Sequence, residues 1–482
     1  MKQQIRAPSY VLGVGLTKFL KPRGQVEYTE LGFEAGIKAL LDAHITYDDV
    51  EMGIASYCYG DSVSGQRVFY QFGMTEIPII NVNNNCASAS TGIAMARDAI
   101  SRGGADCIMV VGFEKMKPGS LERNFTDRAD PVGRFMDMNY KSWGKGEASG
   151  AVQLFANTAK EYMNKYVWPL PSLVSGENLK THDFSGLAFR HGATAQDFAE
   201  IARINHAHSK KNPYAQFQKE FSLEQIMSGP MIQEPLTMSQ CCPTSDGGAA
   251  AIIVSEDFLN ARPHLRSQAI LIAGQSFVTD SPSAFDGSAA SLVGAGLART
   301  AVKEALKQAN ASIADIKVVE LHDCFSSAEM MALDALGLSE PGKAHELVRN
   351  KDITFGGRYV VNPSGGLLSK GHPLGATGIA QCAELVWQLR GWATNRLVPG
   401  IDVALAHNAG LGSAGVVTIY KRVDGQKNRP VDDEEVAKIT GLGYNPAVQA
   451  KGFTRAQADS ARSKRRSEWA LEGTLDKVQS KF

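Results

Sequence analysis

Apolar and polar positions follow two rhythms along this chain, and the order of the rhythms repeats. Residues 8–16 (Pro-Ser-Tyr-Val-Leu-Gly-Val-Gly-Leu) form a short apolar run that predicts an opening strand. Residues 30–44 follow helical spacing, and the runs at 52–58 and 78–82 predict two more strands. A helix of small residues is expected over 87–102. The unbroken run Cys-Ile-Met-Val-Val within 106–112 predicts a central strand covered on both faces. Strands alternating with helices imply an α/β protein built on a parallel sheet.

From about residue 117 to 240 the rhythm breaks. This stretch is rich in Asn, Asp, Arg and aromatic residues, with helical patterns only near 150–165 and 194–209. It reads as an insertion that caps a site, because 247–256 returns to core-strand composition. A second half then runs through a strand at 268–274, a helix near 291–309, a strand at 316–321 and a helix at 326–336. It closes on strands at 402–405 and 415–420. The expected division is 1–116 with 241–264 as the first half, 117–240 as the insertion, 265–422 as the second half, and a polar tail over 423–482. Within that tail, Lys464-Arg465-Arg466 is expected in a short amphipathic helix on a solvated or surface-docked extension.

Composition narrows the classes. The chain has 482 residues, enough for a well-buried core. Lys+Arg and Asp+Glu are both 50, which gives no reason to propose nucleic acid as a partner. No apolar run suits a transmembrane span, and the first residues lack the apolar core of a signal peptide. The 7 scattered cysteines fit reduced thiols. The final Ser480-Lys481-Phe482 resembles a peroxisomal import tripeptide with Phe in place of Leu.

Chemistry enters through an internal repeat. Cys86-Ala-Ser-Ala-Ser-Thr91-Gly92-Ile93-Ala94 and His372-Pro-Leu-Gly-Ala-Thr377-Gly378-Ile379-Ala380 lie 286 positions apart in register. A thiol heading one helix and an imidazole heading its copy suggest a nucleophile and its base. A helix N-terminus at Cys86 is expected to favour the thiolate. The structural alternatives are a small buried packing cysteine and a capping histidine. His322-Asp323-Cys324-Phe325 follows an apolar strand, and strand ends are where open α/β sheets place their sites. A zinc reading of His322 and Cys324 lacks a companion pair at convincing spacing, so no metal is expected. Gly410-Leu-Gly-Ser-Ala-Gly415 matches a dinucleotide fingerprint in letters only. It runs into a strand rather than opening a helix, and reads as a glycine turn between strands.

Together these stretches resemble the thiolase superfamily, in its sterol-carrier-protein branch. The resemblance rests on Asn85-Cys86-Ala87-Ser88, His322-Asp323-Cys324-Phe325, Gly371-His372-Pro373-Leu374-Gly375, and His407-Asn408-Ala409-Gly410-Leu411-Gly412. Gln240-Cys241-Cys242-Pro243 and Asn212–Gln218 in the insertion add to it. The resemblance implies a five-layered αβαβα thiolase fold of two duplicated halves with an inserted loop domain. It implies Cys86 as acyl acceptor, His372 as its base, and the backbone amides of Cys86 and Gly410 as an oxyanion hole. Most thiolases carry a second cysteine in the last glycine-rich loop, which this chain lacks. In this branch that acid/base role falls on Cys324, with His322 and His372 holding the thioester oxygen. The room after residue 422 is too short for a fused lipid-transfer domain, so lipid transfer is not implied.

The activity implied is thiolytic cleavage of 3-ketoacyl-CoA to a shortened acyl-CoA plus acetyl-CoA or propionyl-CoA, in peroxisomal-type fatty acid β-oxidation. CoA is the co-substrate, acyl-CoA and CoA are the partners, no cofactor stays bound, and a homodimer is implied. The rivals are biosynthetic Claisen condensation and a non-catalytic acyl-CoA or lipid-binding scaffold. Residues contacting CoA are not assigned.

Overall fold

The computed structural model describes residues 7–119, 123, 125–164 and 192–471. The tripeptide at 480–482 lies outside the described residues. Twelve strands are present among the described residues. They are β1 (Ser9–Leu16), β2 (Met52–Ser56), β3 (Ile79–Val82), β4 (Cys107–Glu114), β5 (Met231–Gln233) and β6 (Leu236–Thr237). The others are β7 (Gly247–Ser255), β8 (Ile270–Val278), β9 (Val318–Glu320), β10 (Val360–Val361), β11 (Val403–Gly410) and β12 (Ala414–Arg422).

Ten of them form one sheet in the order β10-β9-β11-β12-β8-β1-β7-β4-β2-β3. The order is a duplication. From the centre outward, β1-β7-β4-β2-β3 and β8-β12-β11-β9-β10 carry the same pattern of two antiparallel and then two parallel pairings. The halves meet through β1 and β8 at only two pairs, Tyr10 with Leu271 and Val11 with Ile270. The sheet is therefore mixed, not parallel throughout as the alternation of elements predicted. β7 and β12 return antiparallel, a direction that hydrophobic patterning does not encode.

Helices make the remaining layers. Tyr28–Ala43 covers β1, β4 and β7 on one outer face, and Ala295–Ala309 covers β8 and β12 on the other. Between them lie Ser88–Ser101 and Thr377–Arg390, which touch each other and both half-sheets. That is the five-layered αβαβα arrangement. β4 is buried along its whole length because helices cover both its faces, which accounts for its unbroken apolar run. The two central helices cross at Gly378, where a Cβ would stand 2.0 Å from Ser90 Oγ and 2.6 Å from Ser90 N. Only glycine fits so close a crossing.

Within 117–240, helices Gly133–Trp143, Gly150–Asn164 and Ala195–Ser209 and the β5–β6 hairpin pack over the C-terminal half. The segment after β12 docks on the body and buries Val436, Leu442, Tyr444 and Phe453. Its last described helix is Arg455–Ala461, so Lys464–Arg466 lies beyond it, contrary to expectation. Their backbone N–H groups instead turn onto the Asp48 carboxylate at 2.9, 3.0 and 3.0 Å, and Ser463 Oγ donates at 2.6 Å. A buried carboxylate gathering these donors bends the chain out of helix. No helix among the described residues is long and apolar enough to cross a membrane.

Candidate active site

Cys86 sits on a loop between β3 and the Ser88–Ser101 helix. Asn85 holds φ at +51°, and Ser88 Oγ accepts from Asn84 N–H (2.8 Å) while donating to the Asn85 carbonyl (2.6 Å). Asn84 Nδ2 donates to Thr91 Oγ1 (3.2 Å), which itself donates to the Ala87 carbonyl (3.0 Å). The helix starts at Ser88, two residues past Cys86. Burial pushes the Cys86 thiol up to about 12, and the Glu114 charge adds to this. The backbone N–H groups of Cys86 and Leu411 oppose it without prevailing. The expectation of a resting thiolate is therefore overturned. Loss of water outweighs the helix terminus, and the nucleophile needs a base.

His372 occupies the matching loop before Thr377–Arg390, five residues ahead of the helix start. Gly371, at φ +112°, turns the chain into it, and the His372 backbone N–H donates to Ser245 Oγ (2.9 Å). Thr377 Oγ1 gives its one proton to the Pro373 carbonyl (3.0 Å), so it accepts from His372 Nδ1–H (2.7 Å). The lone pair then lies on Nε2, which has no partner in the protein. Burial, with the neighbouring His322 and Lys370, holds this imidazole neutral, well below the usual histidine range. It is a base in waiting.

His322 and Cys324 follow β9 and are both buried. His322 Nδ1 meets Asn408 Oδ1 at 2.9 Å, and Asn408 Nδ2 reaches Ser90 Oγ at 3.1 Å. Burial brings His322 down to about 4. The rings of His322 and His372 lie edge to face with centroids 5.2 Å apart. Cys86 Sγ, one nitrogen of His322 and one of His372 stand within 4.8 Å of one another. Among the described residues these three donors lie close enough to share a metal ion, but Cys324, the other half of the zinc reading, is not one of them. The segment between is anchored by Asp323, whose carboxylate accepts from Leu367 N–H (2.7 Å) and Asn205 Nδ2 (2.9 Å). Burial raises the Cys324 thiol far above its usual value, with Cys242 and Cys86 adding to it.

All four predicted side chains border one cavity of about 970 Å³. Gly410, the last residue of β11, lies against the Cys86 loop. A Cβ there would stand 2.2 Å from the Asn84 carbonyl, so glycine lets β11 approach the Cys86 loop. Glu114, the last residue of β4, joins the His372 loop to the segment after β2, whose Cys58 Sγ donates to the Asn85 carbonyl beside Cys86 (3.1 Å). Its carboxylate accepts from Gly375 N–H (2.8 Å) on the His372 side and from Tyr59 (3.0 Å) and Cys58 (3.2 Å) on the Cys86 side. Burial raises its carboxyl to about 7 against these bonds. Sequence reasoning missed Glu114, Asn408, Thr91 and Thr377. Only the threonines left a signal, as the shared Thr of the repeat.

The chain belongs to the thiolase family. Residues 10–257 match the family description "Thiolase, N-terminal domain" and residues 286–422 match "Thiolase C-terminal domain-like". Members of this family are acyltransferases that use CoA substrates. Among curated relatives, "Sterol carrier protein 2" of Bos taurus is 46% identical over 420 residues, covering 86% of this chain and 73% of the relative. Two solved structures share the fold. "Ltp2-ChsH2(DUF35) aldolase" superposes with TM-score 0.68 at 23% identity, covering 87% of this chain and 98% of the other. "Crystal structure of human mitochondrial 3-ketoacyl-CoA thiolase in complex with CoA" superposes with TM-score 0.61 at 18% identity, covering 86% and 98%.

Proposed function

We propose that this protein cleaves 3-ketoacyl-CoA by thiolysis through an acyl-cysteine at Cys86. The observation that carries the reading is the meeting of Cys86, His322 and His372 within 4.8 Å, in a cavity that Cys324 also lines. His372 Nε2 takes the Cys86 proton, and the thiolate attacks the 3-keto carbon. The bond between the α and β carbons breaks, and Cys324–SH protonates the departing acetyl-CoA or propionyl-CoA enolate. The Cys324 thiolate then takes the proton of incoming CoA. The resulting CoA thiolate displaces the acyl group from Cys86, which recovers its proton from His372.

Two oxygens gain negative charge along this course. The backbone amides of Cys86 and Gly410 serve one, and His322 with protonated His372 serves the other. For neutral His322 to donate from Nε2, the Asn408 amide turns end for end and offers Nδ2 to Nδ1. Ser90 hydroxyl donates or accepts equally well, so the turn costs no hydrogen bond. Exposed Lys21 and Arg23, beside the cavity, are the cations available to CoA phosphates. The segment 117–240 serves as the cap. The family resemblance extends the proposal to peroxisomal-type β-oxidation and a homodimer.

The test is intact-protein mass spectrometry with acyl-CoA beside a thiolysis assay. Cys86→Ala should lose both the covalent adduct and turnover. Cys324→Ala should still be acylated yet fail to break the carbon–carbon bond. Thiolysis retained in Cys324→Ala removes its assigned role, and an adduct absent from the wild type points to a non-catalytic binder.

A further inference from the structure

β11 carries a histidine that thiolysis does not use. Alternation along the strand separates its side chains by face. Asn408 and Gly410 face the central helices, at Ser90 and at Asn84 and Ala87. His407 and Ala409 therefore face the opposite side, and both border the cavity. Register places His407 across from Val417 and, one step beyond the Ala406–Glu320 pair, beside Leu321. Val417 and Leu321 belong to the apolar cluster that includes Val293, Phe325, Ala328 and Met331, which also line the cavity.

His407 is 2% exposed, and neither Nδ1 nor Nε2 has a hydrogen-bond partner among the described residues. Its carbonyl accepts from Gln381 Nε2 at 3.1 Å. Burial, with His322 nearby, brings the ring down to about 3. At neutral pH it therefore offers one N–H and one lone pair. A buried imidazole with both nitrogens unpaired calls for an explanation, and a substrate group that enters the cavity supplies one.

Resting on the reading that the cavity takes acyl-CoA, we propose that His407 is a specificity-determining residue. It hydrogen-bonds an oxygen on the bound acyl chain, and so selects chains with a hydroxyl or carbonyl beyond the reacting carbons over plain alkyl chains. A plain chain leaves both ring nitrogens desolvated and unpaired, whereas an oxygenated one pairs with them. Sites that hydrogen-bond a substrate group discriminate strongly against the analogue lacking it.

The experiment compares wild type, His407→Leu and His407→Gln on saturated 3-ketoacyl-CoAs and on counterparts with a hydroxyl moved along the chain. At the best hydroxyl position the wild type should favour the hydroxylated substrate in kcat/KM by about tenfold, as one hydrogen bond allows. The Leu variant should bring that ratio close to unity, and the Gln variant should keep part of it. A wild type with no preference at any hydroxyl position overturns the proposal without any variant. So does a Leu variant that keeps the wild-type ratio, or one that loses activity equally on both substrates. Calorimetric binding of the matching saturated and hydroxylated acyl-CoAs to Cys86→Ala protein, with and without His407→Leu, separates the two readings. A His407-dependent binding preference without wild-type turnover keeps this inference and sinks thiolysis, and turnover without any preference does the reverse.

Discussion

The Cys86 loop and the His372 loop are the same piece of chain used twice, and they present different reactive groups. Each leaves a short parallel edge strand, turns, and enters a central helix that shares the sequence Thr-Gly-Ile-Ala. In each, the threonine hydroxyl donates back to the carbonyl four residues earlier. What the threonine holds differs. Thr91 accepts from Asn84, two residues ahead of the nucleophile, and steadies the loop. Thr377 accepts from His372 itself and fixes which nitrogen is the base. The strands beside them diverge likewise, because β4 ends on the Glu114 carboxylate where the equivalent β11 ends on Gly410. Duplication supplies a symmetric frame, and a few unmatched contacts give it the asymmetry that the proposed nucleophile and base require.

The strongest way to break this comparison is to cut the carboxylate that ties the His372 loop to the first half. Glu114 has its carboxyl raised from 4.5 to about 7. Between these values the folded state binds more protons than the unfolded one, so stability falls as pH rises through the window. Glu114→Gln removes that dependence. Relative to wild type, the variant should gain about 3 kcal/mol of stability as pH rises across the window. Urea unfolding of both proteins on either side of it is the measurement, and a constant difference sinks the account.

A finer cut separates the threonines. Thr377→Val leaves His372 Nδ1–H without its acceptor and should lower kcat about tenfold, with little change in KM. Thr91→Val, which touches only the loop under Cys86, should cost less than about threefold. Equal losses would mean that both threonines act through packing, and that His372 is not held by its hydrogen bond.

Much of this was legible in the chain. The repeat of Cys86 and His372, the strands of both halves and the glycine turn between β11 and β12 all leave local patterns. The state of the Cys86 thiol was not legible. A helix terminus is a local feature, whereas burial depends on walls contributed by Glu114, Leu374 and Met116 from distant segments. Lys464–Arg466 shows the same limit. Its composition suits a helix, and Asp48, more than four hundred residues earlier, decides otherwise.

By itself the sequence determined the duplicated α/β halves and the family, and it singled out the four side chains proposed to react. Hydrophobic period and motif spacing are properties of neighbours along the chain. Tertiary structure alone decided the mixed direction of the sheet and the burial that lowers His322, His372 and His407 and raises the Cys86 and Cys324 thiols. It also decided that His322 and Cys324 join Cys86 and His372 in one cavity, and that His407 enters that cavity with both nitrogens free. Distance and dielectric are set by what packs against a group, and here that comes from residues remote in sequence.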